Sequence, residues 1–190
     1  MKKQFKAVEL EQLDEATIHQ IRLWRNSDFV RSKMYVQHEI TEEEHTNYIE
    51  KVKQDRNRGL FVFYLDKHPF GVYQYEIHPE GNYVTNGCYL IDSSYSELGY
   101  GVILNYYICE LAFYKLKVNK CFGEVIDLNK DAIHTNKRMG GKLEGILRQQ
   151  VLKDGEYHDV YMFGILREEW EQRREKLWKV LDEIIEVNES

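Results

Sequence analysis

Two glycines, Gly99 and Gly101, end a segment whose residues could bind an anion. Residues 86–101 read NGCYLIDSSYSELGYG, so an apolar stretch leads through a polar loop to these glycines and to a long apolar helical segment. The first amides of a helix lack partners within the helix and lie at the positive end of its dipole, where anions bind. Glycine also lets a phosphate approach the main chain, because it has no Cβ. A tight turn from strand to helix explains the same glycines, and on this spacing alone it is the simpler interpretation.

A basic stretch near the N-terminus could hold a phosphate as well. It contains Arg22, Arg25, Arg31 and Lys33, and guanidinium groups match the oxygens of a phosphate. The same charges also suit an ordinary solvated helix face, and charge alone favours that interpretation.

Candidate general bases are Glu76 and His78, at the end of a predicted strand, and His45 in a predicted helix. A histidine titrates near neutral pH, as base catalysis requires. A solvated strand-end carboxylate, a surface-loop histidine and a helix-face histidine are the respective structural alternatives. Tyrosines could stack on a nucleobase or line a pocket, although core packing explains most of the 14 in the chain. The candidates are Tyr35, Tyr73, Tyr75 and Tyr89.

Apolar periodicity predicts the elements that must position these residues. Predicted strands cover residues 5–10, 60–65, 70–77, 83–91, 121–126, 143–152 and 157–166. Predicted helices begin near residues 15, 41, 99, 127 and 167, with a capping box at Thr41 and Glu44 and a stop at Gly140 and Gly141. Consecutive strands with short turns imply antiparallel pairing, whereas strand–helix–strand crossovers in the middle require parallel pairing. The pattern predicts an α+β domain on one mixed, mostly antiparallel sheet flanked by helices.

Length and composition predict a single domain over residues 1–190, with residues 167–187 as a C-terminal helical extension that includes Ile184 on its apolar face. The net charge of −6 argues against a general polyanion-binding surface and therefore against nucleic acid as a partner. The cysteines, Cys88, Cys109 and Cys121, lack metal-ligand spacing, so no metal is expected. No apolar run is long enough to span a bilayer, and no signal peptide follows the first lysines. We therefore expect a soluble, cytoplasmic protein without a membrane partner.

The second half of the chain resembles the GNAT superfamily of acetyltransferases. That family has the segment N-x-x-A-I-x-x-x-x-K/R-x-G-F, then K-x-E-G-x-x-R and a closing hairpin. The likeness covers nearly the whole chain, is strongest over residues 89–170, and is closest to the branch that includes ribosomal-protein N-acetyltransferases. The matching residues are Asn129, Ala132, Ile133, Arg138, Gly140, Leu143, Glu144, Gly145 and Arg148.

The N-terminal part is similar to a narrower family, the N-acetyltransferases of pseudaminic acid biosynthesis. Those enzymes acetylate the free amine of a UDP-linked 4-amino-4,6-dideoxy sugar. A W-R-N segment also occurs in other small-molecule acetyltransferases, so this match is less exclusive. The residues that carry it are Trp24, Arg25, Asn26, Val30, Arg31, Met34, Ile40, Glu44 and His45.

The resemblance implies a GNAT fold in which two parallel central strands splay apart and acetyl-CoA, as cosubstrate, lies in the gap. Implied catalytic groups are Asn136 and the main-chain N–H of Ile91 as the oxyanion donor, and Glu76 is the candidate base from its place at a strand end. The implied cosubstrate contacts are Leu90, Ile91, Asp92, Leu98, Gly99, Tyr100, Gly101, Val102, Asn129 and Asn136. The implied acceptor contacts are Arg25, Asn26, Arg31, Tyr35, His45 and Tyr75.

The implied activity is acetyl transfer to the 4-amine of a UDP-linked amino-deoxy sugar by direct attack of the amine on the thioester. Four positions depart from the family pattern: Asn86, Ser96, Asn136 and Gly141. Asn136 stands where a tyrosine usually protonates the departing thiolate, and an amide cannot titrate. Two alternatives therefore stay open: an acetyltransferase for a protein N-terminus, polyamine or antibiotic, and a CoA-binding module without turnover. A homodimer formed through the C-terminal helix is a further alternative.

Overall fold

The computed structural model describes residues 2–187 and is built on one eight-stranded sheet. Across the sheet the strands lie in the order β6-β7-β5-β4-β3-β2-β1-β8. The strands are β1 (Lys3–Glu9), β2 (Arg58–Leu65), β3 (His68–His78), β4 (Tyr83–Leu90), β5 (Lys120–Ile126), β6 (Lys142–Lys153), β7 (Glu156–Leu166) and β8 (Ile185–Val187). The helices are α1 (Glu15–Asn26), α2 (Asp28–Arg31), α3 (Glu42–Gln54), α4 (Ser93–Glu97), α5 (Tyr100–Glu110), α6 (Lys130–Met139) and α7 (Arg167–Leu181).

Local sequence signals place most of these elements where they were predicted. The turn between β2 and β3 consists of Asp66 and Lys67, with φ values of 50° and 69°, as a two-residue hairpin turn requires. Asp154 and Gly155, with φ values of 50° and 85°, join β6 and β7 in the same way. The predicted capping box at Thr41 begins α3. The predicted α+β architecture on one mixed sheet is confirmed.

The central strands β4 and β5 are parallel and separate halfway along their length. Their pairing runs from Tyr83 opposite Lys120 to Asn86 opposite Gly123. Beyond this point β4 continues along β3 as far as Leu90, while β5 continues along β7. The predicted splayed parallel pair is therefore confirmed, and a gap opens beyond Asn86.

Two apolar layers cover the sheet. On one face α5 and α7 pack against a largely aromatic core, in which the ring of Phe5 stacks on that of Tyr107 and Trp170 is fully buried. On the other face α1 and α3 contribute Ile21, Ile49 and other apolar side chains to a smaller core. Strands β2, β3 and β4 are therefore packed on both faces.

Three features differ from the prediction. The polar loop after β4 contains the short helix α4, and α5 continues as a π-helix over Leu111–Lys115. The predicted helical extension over residues 167–187 ends at Leu181, since residues 185–187 form β8 and pair in parallel with β1. This pairing buries Ile185 completely, which stabilises the strand. A local helical pattern contains no information about such a distant partner. Within the described residues, no helix is long and apolar enough to cross a membrane.

Candidate active site

A cleft opens where β4 and β5 separate. Its main cavity has a volume of about 500 Å³ and is lined by residues of both strands, of α5 and α6, and of residues 33–36. A smaller cavity of about 90 Å³ shares Cys88, Asn105 and Asn129 with it and reaches Gly101 at the start of α5. The cleft therefore runs from the point of strand separation to a helix N-terminus.

The free edge of β4 supplies main-chain donors to this cleft. The N–H of Ile91 donates to the carbonyl of Phe70, at 3.1 Å, and therefore points towards β3. Successive residues of an antiparallel strand direct their main-chain groups to opposite edges. The N–H groups of Leu90 and Cys88 thus face the gap, beyond the last pair with β5.

This register corrects the prediction that Ile91 is the oxyanion donor, because its N–H is already bonded within the sheet. Leu90 lines the smaller cavity, as expected for a cosubstrate contact. Asp92 has a different role, since its carboxylate caps α4 by accepting from the N–H of Ser94 at 2.9 Å.

The N-terminus of α5 lies at the other end of the cleft. Gly99 adopts a φ of 75°, a left-handed conformation that favours glycine, and Gly101 lines the smaller cavity. The N–H groups of Leu98, Gly99 and Val102 donate to main-chain carbonyls. The N–H groups of Tyr100 and Gly101 belong to the first helical turn and have no partner within the helix. Of the five residues predicted here, Tyr100 and Gly101 therefore have main-chain amides without a helical partner, and Gly101 lines the smaller cavity.

Helix α6 forms the wall opposite that N-terminus. Asn129 caps it by accepting from the N–H of Ala132 at 3.3 Å, and Asn136 donates from Nδ2 to the carbonyl of Ala132 at 2.9 Å. Both asparagines line the main cavity, as the resemblance implies. The amide of Asn136 is held within the helix and does not titrate, so it can orient a ligand but cannot supply a proton.

Arg25 brings a positive charge to the main cavity. Its Nη1 is buried and has no hydrogen-bond partner within residues 2–187, and burial lowers the pKa of its guanidinium. Lys33 also lines this cavity, and burial lowers the pKa of its ammonium group. An unpaired buried cation is costly, so this end of the cleft suits an anionic ligand.

Glu124 is the one carboxylate among the described residues that line the main cavity. It lies on β5 directly after the last pair with β4. Tyr35, whose hydroxyl donates to Glu124 Oε2 at 2.9 Å, lines the same cavity, and burial raises the pKa of its phenol. Sequence reasoning did not select Glu124. The available signal was a single acid within the otherwise apolar strand CFGEVI.

Two predicted catalytic or acceptor residues lie on β3 and do not line the cleft. The carboxylate of Glu76 is held by the guanidinium of Arg58, which neutralises it at the strand end. Tyr75 packs against the aromatic core, and its ring occupies the space beside Gly59 where a Cβ would be. Both predictions are corrected, because neither side chain is directed at the gap between β4 and β5.

Three other predicted acceptor contacts are structural. Asn26 donates to the carbonyl of Ile40 at 2.9 Å and accepts from its N–H at 2.8 Å. The side chain of Arg31 forms ion pairs with Asp28 and Glu39. His45 is buried, and its Nε2 donates to the carbonyl of Ile18 at 2.9 Å. The structure thus keeps Arg25 and Tyr35 in the cleft and places Asn26, Arg31 and His45 outside its lining.

Comparison with known proteins supports the fold. No protein-family model matches the chain, and no curated protein sequence matches it. The structure is similar to that of spermidine N-acetyltransferase from Vibrio cholerae in complex with CoA and spermine, with 20% identity, a TM-score of 0.78, and coverage of 87% of this chain and 97% of that chain. It is also similar to the Campylobacter jejuni N-acetyltransferase PseH, with 21% identity, a TM-score of 0.62, and coverage of 86% and 98%. The complex of PseH with acetyl coenzyme A matches with 22% identity and a TM-score of 0.62, over 86% of this chain and 99% of that one. The chain therefore has the GNAT fold that its sequence resemblance predicts.

Proposed function

We propose that this chain transfers an acetyl group from acetyl-CoA to an amine. The observation that carries this proposal is the continuous cleft from the separated edge of β4 to the N-terminus of α5. The edge amides of Cys88 and Leu90 can pair with an extended amide-bearing arm, as a neighbouring strand would. The first amides of α5 can bind a pyrophosphate. Acetyl-CoA contains both an extended amide-bearing arm and a pyrophosphate, and it supplies the acetyl thioester that the amine attacks.

The residues of the main cavity can assist this reaction. The attacking amine must lose a proton, and Glu124 is the carboxylate available to accept it. The N–H groups of β4 that face the gap can stabilise negative charge on the thioester oxygen. Holding both substrates in one cleft supplies much of the acceleration by itself, since effective molarity accounts for roughly 7–11 kcal/mol in well-oriented systems.

For the acceptor, we infer the 4-amine of a UDP-linked amino-deoxy sugar, as in pseudaminic acid or related glycan biosynthesis. Support comes from Arg25 and Lys33, two cations that line the cavity with a single carboxylate, Glu124. The diphosphate of such an acceptor would pair with the buried guanidinium. The similarity to PseH agrees with this inference.

A polyamine is the second candidate, because the spermidine N-acetyltransferase has the higher TM-score, 0.78 against 0.62. A cationic acceptor would, however, enter a cavity whose own charge is predominantly positive. A protein N-terminus, an antibiotic and CoA binding without turnover are further alternatives. Asn136 supports the last of these, because it cannot protonate a departing thiolate.

The test is turnover with a panel of amines. The protein is incubated with acetyl-CoA and, separately, with a UDP-4-amino-4,6-dideoxy sugar, spermidine or an N-terminal peptide, while free CoA thiol is measured. A reaction without acceptor corrects for hydrolysis of the thioester. We expect the sugar nucleotide to be consumed with the highest kcat/KM. Faster turnover of spermidine would overturn the acceptor assignment, and CoA binding without consumption of any amine would overturn the activity.

A further inference from the structure

Lys153 is buried in an unexpected place. It is the last residue of β6, next to the exposed turn residues Asp154 and Gly155, yet only 7% of its surface is exposed. In residues 2–187 the buried polar or charged residues are His45 and Lys153. Burial of a charged group is costly unless its hydrogen bonds are satisfied, so this lysine must have compensating contacts.

The compensating contacts are main-chain carbonyls. Lys153 Nζ donates to the carbonyls of Ser32 at 2.6 Å, Arg31 at 3.2 Å and Met34 at 3.4 Å. An ammonium group has three donors, so each has an acceptor. No ion pair to a carboxylate joins Lys153 to any described residue. The ammonium therefore binds main-chain carbonyls at the end of α2 and in the residues after it, and not an acidic side chain.

Residues 31–37, which we name the roof segment, cover one side of the cleft. Four of them line the main cavity, namely Lys33, Met34, Tyr35 and Val36. Two further contacts hold the segment in place: Gln37 Nε2 donates to the carbonyl of Leu152 at 2.6 Å, and Tyr35 donates to Glu124. The segment contains no regular element after Arg31, so side-chain contacts must define its conformation.

We propose that Lys153 is a positioning residue for the acceptor site: it holds the roof segment over the cleft from the β6–β7 turn. The inference rests on the proposed acetyl transfer, because the roof segment lines the cavity where the acceptor amine must lie. The two-residue turn fixes the place of Lys153 on the hairpin, and its ammonium then binds three main-chain carbonyls of the roof segment. A small displacement of a substrate contact can reduce a rate strongly, so this arrangement controls acceptor binding.

The kinetic test separates positioning from general stabilisation. We expect Lys153→Met to raise KM for the acceptor about tenfold, with a change of less than about threefold in KM for acetyl-CoA. Lys153→Arg keeps a cationic donor and should recover most of the acceptor affinity. Lys179→Met, which changes an exposed lysine on α7, is the matched control and should leave both constants unchanged. Equal increases in both constants for Lys153→Met, or an unchanged acceptor KM, would overturn the proposal.

A second measurement does not depend on turnover. Amide hydrogen exchange of the free protein should show faster exchange of residues 31–37 in Lys153→Met than in the wild-type chain and in Lys179→Met, with exchange in β2 and β3 unchanged. Unchanged exchange in the roof segment would refute the positioning role even if the enzyme is active. If the wild-type chain consumes no amine, the proposed function fails, while this exchange result still decides whether Lys153 holds the roof segment.

Discussion

The hydroxyl of Tyr73 donates to Asn86 Oδ1 at 2.8 Å and thereby turns the Asn86 amide nitrogen towards Cys121 Sγ. Asn86 is the last β4 residue paired with β5, so this contact lies where the two strands separate. The thiol of Cys109 and the Asn86 amide both donate to Cys121, and these bonds lower the pKa of the Cys121 thiol. Asn86, a position that departs from the family pattern, thus belongs to a buried polar network at the floor of the cleft.

This network should contribute measurably to stability. Tyr73→Phe leaves the Asn86 oxygen without this donor, and we expect the free energy of unfolding to fall by about 1–3 kcal/mol in urea denaturation. The double variant Tyr73→Phe/Asn86→Leu removes both partners and should cost less than the sum of the two single changes. Tyr157→Phe, at an exposed tyrosine, should stay within about 0.5 kcal/mol of wild type. Strictly additive losses would contradict the coupling.

Arg25 offers a test of the acceptor site that separates binding from folding. Because Nη1 is buried and unpaired in the free protein, Arg25→Gln should not lower the free energy of unfolding. We expect it to raise KM for a diphosphate-bearing acceptor by about tenfold or more, since hydrogen bonds to charged groups contribute about 1.5–3 kcal/mol. Arg56→Gln, at an exposed position on the loop after α3, is the control. An unchanged acceptor KM in steady-state kinetics would show that the diphosphate binds elsewhere.

Substitution of two glutamates tests whether the general base is Glu124, as the structure indicates, or Glu76, as the sequence predicted. Glu124→Gln should reduce kcat about 10²–10⁴-fold with little change in KM for acetyl-CoA, as loss of a general base does. Glu76→Gln is its matched control, because the Glu76 carboxylate is held by Arg58 away from the cleft. Its kcat should be close to wild type. If Glu76→Gln were instead the slower variant at neutral pH, the cleft carboxylate would not be the base.

The contrast between Glu124 and Glu76 shows where sequence reasoning stops. Both are glutamates on strands, and only the sheet order decides which one faces the gap. The strands, the capping box and the hairpin turns follow from local patterns and were predicted, and the splayed pair followed from the family resemblance. The prediction that Ile91 is the oxyanion donor was wrong, because the direction of its N–H depends on the register between β3 and β4. No local pattern encodes that register. The contacts of Lys153 join residues about 120 positions apart, and no local pattern encodes them.

His45 should make stability depend on pH. Burial lowers its pKa below the ordinary value of 6.5, so the unfolded chain takes up this proton first as the pH falls. The stabilisation is therefore present above about pH 6.5 and decreases as the pH falls from there towards the lowered folded-state pKa. In urea denaturation between pH 7.5 and 5.5, His45→Gln should show a weaker loss of stability than wild type. Identical slopes in wild type and His45→Gln would contradict this assignment.

Gly101 can separate the two interpretations of the glycine pair. Its absent Cβ would lie 3.6 Å from Thr135 Oγ1 and 4.0 Å from Leu90 Cδ1, which are ordinary contacts with two residues that line the smaller cavity. Gly101→Ala should therefore fold, with a gain of up to about 1 kcal/mol in a helical position. Its methyl group would project into the cleft, and we expect KM for acetyl-CoA to rise about tenfold because a pyrophosphate could no longer approach the amide.

Gly99→Ala is the contrasting control for this experiment. Gly99 has a φ of 75°, and no atom lies within 4 Å of the place that a Cβ would occupy, so the substitution strains the backbone without filling the cleft. We expect a loss of about 1–2 kcal/mol in the free energy of unfolding, with KM for acetyl-CoA unchanged. A glycine pair that only makes a turn would leave KM for acetyl-CoA unchanged at both positions. A rise in KM for acetyl-CoA confined to Gly101→Ala would assign the turn to Gly99 and the anion site to Gly101.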